Sequence, residues 1–426
     1  MKARARYSLN GLNTAAQTTV LIGGGENFCR ERFGYRQTGK GLEPGLYPVT
    51  VEPVARIANL VHAEYFSVLG FMAMITKGGQ VARWNTDQYT KLTTAAMVNP
   101  NPPFVITCID EGEPAYAVIG GLKLALFRGA TVANHILPYK VTGGTYHCGR
   151  IFAVDKEDPY IIRWSSFSIL DWSLAIDSGG HLRLNPKGGK ALCIVELGEK
   201  LVVVRERALT VFNALADARH FRLVQYGSTF LPEVRDKTAV VVGGKLWLCT
   251  EDGLHVYDGS SVSNVEVDTC GRNYSFERTA AFKNRYIYIT CTEGGVRCFL
   301  EYDTQTGATV TFAKGGDMLF CTDDTLYCLA GDNGTTISLL CAGLEDENRV
   351  WISRNIDLGT AATKTLKYVT LEGEGDSEVL IECDGRTRTV NRHGRTYVGE
   401  VGVNFTFSVR GTGTVSRLAA EWEVRK

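Results

Sequence analysis

Short apolar runs alternate with polar turns through most of this chain. Ala239-Val240-Val241-Val242 leads into Gly243-Gly244 and then Lys245-Leu246-Trp247-Leu248-Cys249. Thr250-Glu251-Asp252-Gly253 and Leu254-His255-Val256-Tyr257 follow. Paired Gly and Asp-Gly accept the positive φ that tight hairpin turns demand. Runs this short, bounded by such turns, predict antiparallel strands and not helices.

The same pattern recurs. It is found at Ala115–Phe127 around Gly120-Gly121, and at 194–212 around Gly198-Glu199-Lys200. It returns at 280–303 around Lys283-Asn284-Arg285, and more faintly at 318–330 around Asp323-Asp324. Starts recur about every 40 to 45 residues, the period of four-stranded propeller blades. Units near 55–100, 101–143, 144–188, 189–234, 235–276, 277–314 and 315–357 predict an all-β fold, a six- or seven-bladed β-propeller over 55–360. One or two β-sandwiches built from similar hairpins stay open as the alternative.

Beyond residue 361 the period becomes a strict two, as in Leu366–Leu371, Glu378–Cys383, Val403–Val409 and Ala420–Val424. Half-buried antiparallel strands read this way, so a small C-terminal β-sandwich is predicted over 361–426. Residues 1–54 are Gly-rich and less periodic, which fits either an N-terminal arm or a segment that closes the ring.

Composition narrows the function. The 426 residues are 44% hydrophobic and 22% charged, as in a folded soluble protein. No apolar stretch approaches the length of a bilayer span, Leu69–Ile75 being among the most apolar, so no membrane insertion is expected. No apolar segment follows the basic start, so no signal peptide is expected either. Lys plus Arg and Asp plus Glu both total 46, so the chain lacks the basic excess of a general nucleic-acid binder. The 12 cysteines form no Cys-x-x-Cys pair and mostly sit in apolar runs, which reads as buried thiols, not a disulfide framework.

Catalytic and metal motifs are sparse, and neither a cofactor nor an enzymatic role is expected. The stretch Leu184–Ala191 lacks the first Gly and the hydroxyl of a P-loop and reads as a turn. The seven His are scattered. His147-Cys148 is the one adjacent His/Cys pair, and neighbours on a strand point to opposite faces. Asp323-Asp324 and Glu345-Asp346-Glu347 are acidic pairs of the kind glycosidases use, but they read first as solvated turns, as does Asp332-Asn333-Gly334. Arg205-Glu206-Arg207 reads as a charged hairpin turn. Trp164 and Trp172 fit gaps between blades, with sugar stacking as the alternative. Lys2, Arg4 and Arg6 are weak candidates for contact with DNA or an acidic partner.

One further pattern spans 150–360. Arg163-Trp164-Ser165 leads to Asp171-Trp172, Gly179-Gly180 and Gly188-Gly189-Lys190-Ala191-Leu192-Cys193-Ile194. Leu201–Val204 then meets Arg205-Glu206-Arg207 before Ala208–Phe212. This resembles the β-propeller neck and tail proteins of short-tailed bacteriophages, the packaged-DNA stabilisation or tail nozzle family. Leu371–Asp376 and Arg410–Gly413 are similar to modules of virion tail proteins.

The resemblance implies a structural virion protein of the neck or tail, assembled in the bacterial cytoplasm. It implies a homo-oligomeric ring, usually a hexamer, that meets adaptor or portal-complex proteins and tail fibres or spikes. Double-stranded DNA would pass transiently through that ring. No site residue is carried over. A carbohydrate- or receptor-binding propeller is the leading alternative. A funnel hydrolase using Asp323 or Asp324 stands behind it, and so does a eukaryotic-type scaffold propeller, which lacks its Trp-Asp repeat marks here.

Overall fold

The computed structural model describes residues 17–22, 29–38, 41–44, 46–49, 60–66, 70–76, 78–85, 88–91, 104–128, 131–175, 178–215, 222–267, 273–312, 318–330, 336–342 and 349–424. Nearly all of them are strand or turn, and the single helical turn among the described residues is Pro186–Gly188. Among these residues no helix is long and apolar enough to cross a membrane.

The central part is a β-propeller of seven antiparallel blades. Blade 1 is Leu60–Phe66, Phe71–Thr76, Val81–Asn85 and Gln88–Lys91. Blade 4 is Ala191–Leu197, Lys200–Arg205, Ala208–Leu215 and Arg222–Phe230. Blade 5 is Val240–Val242, Lys245–Thr250, Gly253–Tyr257 and Val262–Val265. Blade 6 is Ser275–Phe282, Tyr286–Glu293, Val296–Asp303 and Thr309–Phe312.

Blades 2 and 3 share one hydrogen-bonded path from Phe104–Asp110 to Gly180–Arg183, through the extended runs Glu113–Arg128 and Thr131–His147. Each of these two runs serves two strand positions. If Glu113–Arg128 were straight, Tyr116 and Phe127 would sit roughly 35 Å apart. Their rings instead stack with centroids 4.5 Å apart. The chain therefore folds back at Gly120-Gly121, where Gly121 takes φ 61°, so the predicted hairpin is present. In Thr131–His147, residues 131–136 pair back onto blade 2 and 141–147 pair forward with Arg150–Asp155.

Blade 7 closes the ring. Met318–Cys321, Leu326–Ala330 and Thr336–Ala342 supply three strands. The fourth comes from near the start of the chain, where Leu46 pairs with Ala342 and Val49 with Leu339.

The alternation of strand residues explains why the blades need one another. In Phe71–Thr76 every residue is buried. Met72 and Met74 face blade 7, in a cluster with Met318 and Phe320. Phe71, Ala73 and Ile75 face blade 2, in a cluster with Tyr116 and Phe127. Seven such clusters exist, one for each neighbouring pair of blades. The propeller core is thus a closed series of interfaces, which accounts for the two-sided apolar runs in the sequence.

The second unit is a two-sheet sandwich, and it draws on both ends of the chain. One sheet runs Tyr35–Thr38, Gly41–Pro44, Thr414–Val424, Lys364–Glu374 and Gly394–Gly402, with Gln17–Ile22 also on Thr414–Val424. The other runs Cys29–Phe33, Val350–Ser353, Phe405–Gly411, Ser377–Cys383 and Arg386–Val390. The sandwich therefore starts before residue 361, and strands from 1–54 complete both sheets in addition to closing the ring. Gly41 shows why this docking is tight, because a Cβ there would fall 2.1 Å from the Val415 carbonyl oxygen. Trp351 and Trp422 fill the core between the sheets, with Phe405 and Phe407 edge-on to Trp422. The sandwich meets the outer strand of blade 6, where the Gly34 N–H donates to the Thr311 carbonyl at 2.6 Å.

Ion pairs pin the turns of the blades. In blade 6 the Arg285 guanidinium donates twice to Asp303, Nε to Oδ1 at 2.9 Å and Nη2 to Oδ2 at 2.6 Å. Burial pushes the Asp303 carboxyl up, but these bonds and the Gln305 N–H outweigh it and hold the group at about 2. A carboxyl depressed in the folded state lends stability above its unfolded value of about 3.9. That stability is lost as pH falls toward 2. The Arg285→Met variant should lose about 2 kcal/mol at pH 7 and lose little further stability between pH 4 and 2. Urea unfolding of both chains across that range checks this.

Candidate functional site

The first strands of the seven blades surround the propeller axis. They line a central cavity of about 1410 Å³. Its wall is mixed in sign, with Glu64, Glu196, Asp236, Lys237, Arg278 and Asp323 among the lining residues. Burial lowers Arg278, with Asp236 and Glu277 opposing the shift. Burial also lowers Lys237, and the nearby Arg278 charge adds to that effect. The volume is above the ~300–1,000 Å³ that a small-molecule pocket typically spans.

The candidates singled out in the sequence lie as follows. Lys2, Arg4 and Arg6 lie outside the described residues, and so do Glu345-Asp346-Glu347 and Asp332-Asn333-Gly334. Asp323 reaches the cavity wall, while Asp324 is 92% exposed and 3.9 Å from Lys283 Nζ. Trp172 is buried between blades 2 and 3, with its Nε1–H donating to the Ile169 carbonyl at 3.0 Å. Trp164 packs against the cluster between blades 3 and 4. Both tryptophans therefore fill gaps between blades.

The glycine turn at 185–189 presents its carbonyls, not its N–H groups. Arg205 donates from Nη2 to the Gly189 carbonyl at 2.6 Å, and Asn185 Oδ1 accepts from the Lys187 N–H at 3.0 Å. Arg205 itself is buried. Arg205-Glu206-Arg207 does form the hairpin between Lys200–Arg205 and Ala208–Leu215, but Arg205 closes the first strand and its guanidinium staples the 185–189 turn to blade 4.

His147 and Cys148 also depart from the expected geometry. His147 ends a strand, but Cys148 does not continue it. Cys148-Gly149 is the two-residue turn to Arg150–Asp155, and Cys148 takes φ 47°. The strand rule of opposite faces no longer applies, and the Cys148 thiol turns back to His147 Nε2 at 3.3 Å. On its other side His147 Nδ1 lies 2.8 Å from Glu196 Oε1, across the blade 3–4 boundary. His147 is buried and Cys148 is exposed. Burial pushes the Cys148 thiol up, with the Glu196 and Glu199 charges adding. Glu196 was not legible as a partner, because only the packing of blade 4 on blade 3 brings residue 196 beside residue 147.

Comparison with known proteins adds little. No family model matches the chain, and no curated protein matches it. Among solved structures, the β-propeller domain of Cps50 (Swd1) from Myceliophteria thermophila aligns with a TM-score of 0.49 at 13% identity. That alignment covers 67% of this chain and 98% of the other. A likeness this distant carries no functional argument, and the propeller described above rests on strand pairing and the closed series of cores.

Two cavity cysteines give a test of the channel environment. Burial, with the Asp236 charge, pushes the Cys193 thiol up to about 12. Burial, with Glu64 and Asp323, does the same to Cys321. From an ordinary value of about 9 this leaves on the order of 1,000-fold less thiolate at neutral pH. Maleimide at pH 7.5 should therefore leave both thiols unlabelled over times that fully label the urea-unfolded chain. Peptide mapping by mass spectrometry reads the outcome.

Proposed function

We propose that this chain is a structural virion protein of a bacteriophage neck or tail, assembling as a homo-oligomeric ring that conducts and retains packaged DNA. The observation that carries an assembly role is the outer strand of blade 4, Arg222–Phe230. It ends its sheet, and Val224, Tyr226 and Phe230 are 44%, 60% and 63% exposed on it. A nine-residue open edge bearing apolar side chains is a ready surface for another chain. The resemblance over 150–360 supports the phage setting.

In this reading DNA passes through a lumen formed between copies. A head-to-tail contact that closes on itself gives such a lumen. The net charge of zero suits a conduit, because a strongly basic wall would hold DNA by counterion release. A carbohydrate- or receptor-binding propeller is the second reading. It draws on the 1410 Å³ cavity and not on the tryptophans.

Two measurements test this. Mass photometry of the purified chain should show a closed oligomer that Tyr226→Glu with Phe230→Glu weakens at least tenfold. An unchanged oligomer removes the blade 4 edge as the contact, and a wild type that stays monomeric at micromolar concentration counts against a self-assembling ring. Immunogold labelling of particles with an antibody to this chain should mark a single vertex or a short tail. Label absent from particles overturns the virion reading and favours the binding module.

A further inference from the structure

We infer that Cys148, His147 and Glu196 form a nucleophilic thiol site that takes an acyl group from activated esters or thioesters. The three side chains stand in the order nucleophile, base and orienting carboxylate, at 3.3 Å and 2.8 Å. This is the relation that marks an activated nucleophile in unrelated folds. The site depends on neither the oligomer nor the phage reading.

Three features beyond those distances support it. First, Cys148 and Gly149 both have positive φ, 47° and 80°. Such turns favour Asn-Gly or Asp-Gly, and a left-handed conformation costs an ordinary residue roughly 1–2 kcal/mol. Glu111-Gly112 turns the same way at 52° and 87°, so the conformation is not peculiar to this turn; here its consequence is to bring the thiol back to His147 Nε2. Second, the hydrogen-bond order fixes the tautomer. A carboxylate only accepts, so Nδ1 carries the proton toward Glu196 and Nε2 keeps the lone pair for the thiol. Third, the Phe167 ring lies against Gly149, where a Cβ would fall 2.7 Å from Phe167 Cδ1. Phe167 is 43% exposed and carries the Arg150 guanidinium 4.3 Å from its ring centre, so its remaining exposed surface beside Gly149 is the apolar shelf for the acyl chain.

The chemistry balances without an external reagent. Cys148 Sγ attacks the ester carbonyl carbon, the S–C bond forms, and the π pair moves onto oxygen. The thiol proton passes to His147 Nε2. Collapse restores the C=O and breaks the ester C–O bond, and the alcohol leaves with the proton from Nε2. Water then attacks the Cys148 thioester, giving its proton to His147, and the thiol is recovered as the acid departs. Because the resting thiol is neutral, proton transfer to His147 accompanies attack and does not precede it. Glu196 is a positioning residue that holds the ring.

The test uses the full chain with p-nitrophenyl acetate at pH 7.5. Expected is a burst of p-nitrophenolate approaching one per chain, with the acetyl group mapped to Cys148. Cys148→Ser on the exposed turn should abolish the burst with an unchanged melting temperature. His147→Gln should slow acylation about 100-fold, the usual scale of general-base assistance. Glu196→Ala should slow it about tenfold at unchanged KM, and Glu196→Asp should recover part of the rate, which a purely structural role would not predict. Because His147 is buried, its variant is read only where the circular dichroism spectrum matches wild type, and the Glu196 pair carries the base argument otherwise. Acetylation spread over several cysteines or lysines, or a burst that survives Cys148→Ser, overturns the proposal. A rate indifferent to both Glu196 variants overturns the role of the His147–Glu196 pair.

Discussion

Blade-to-blade packing is the constraint on which the rest of this molecule depends. A single blade here buries nothing by itself, because its inner strands are apolar on both faces. Met72 and Met74 need blade 7, while Phe71, Ala73 and Ile75 need blade 2. An open arc of such sheets would leave two apolar faces in water, at a cost of about 25 cal/mol for each Å² exposed. Closure removes both faces at once. It is made by strand Leu46–Val49 pairing with Thr336–Ala342, a contact across nearly 300 residues of chain. Bringing such distant segments together costs about 5 kcal/mol of loop entropy. Burial of the apolar faces at the blade 1–7 interface works against that cost.

The sandwich reinforces the same closure. The chain leaves it after Gly41–Pro44, goes straight into the closing strand, runs once round the propeller, and returns at Val350–Ser353. Both termini of the propeller are therefore held by one core, around Trp351 and Trp422. The Gly34 to Thr311 bond ties that core to blade 6. Opening the ring would strain the sandwich, and melting the sandwich would free the closing strand. The two units are coupled through connectivity as well as through contact.

Much of this was legible in the sequence, for identifiable reasons. Paired glycines and Asp-Gly dipeptides report local backbone needs, so hairpins such as that at Gly243-Gly244 could be read directly, as could the period of the blades. Trp164 and Trp172 were placed between blades because size and apolarity are also local properties. Membership was not legible where it depends on distant partners. Gln17–Ile22 and Cys29–Phe33 look unperiodic because one finds its ladder on Thr414–Val424 and the other on Val350–Ser353. Arg205 looked like a turn residue because its acceptors, the carbonyls of Asn185 and Gly189, belong to a preceding turn.

The Cys148 turn shows how the two kinds of information combine. A period-two rule sends adjacent side chains apart, and it holds only while the backbone stays extended. One residue at φ 47° reverses it and brings thiol and imidazole together. The third member, Glu196, arrives from the next blade, across the packed blade 3–4 interface. A closed propeller holds its inner strands rigidly and leaves its turns free of packing duty. Chemistry can therefore sit on a turn without costing the core, supported by a histidine buried in the wall. The same division leaves the outer strand of blade 4 free to meet another chain, so an assembly edge and a reactive turn can coexist on one scaffold without competing for the same residues.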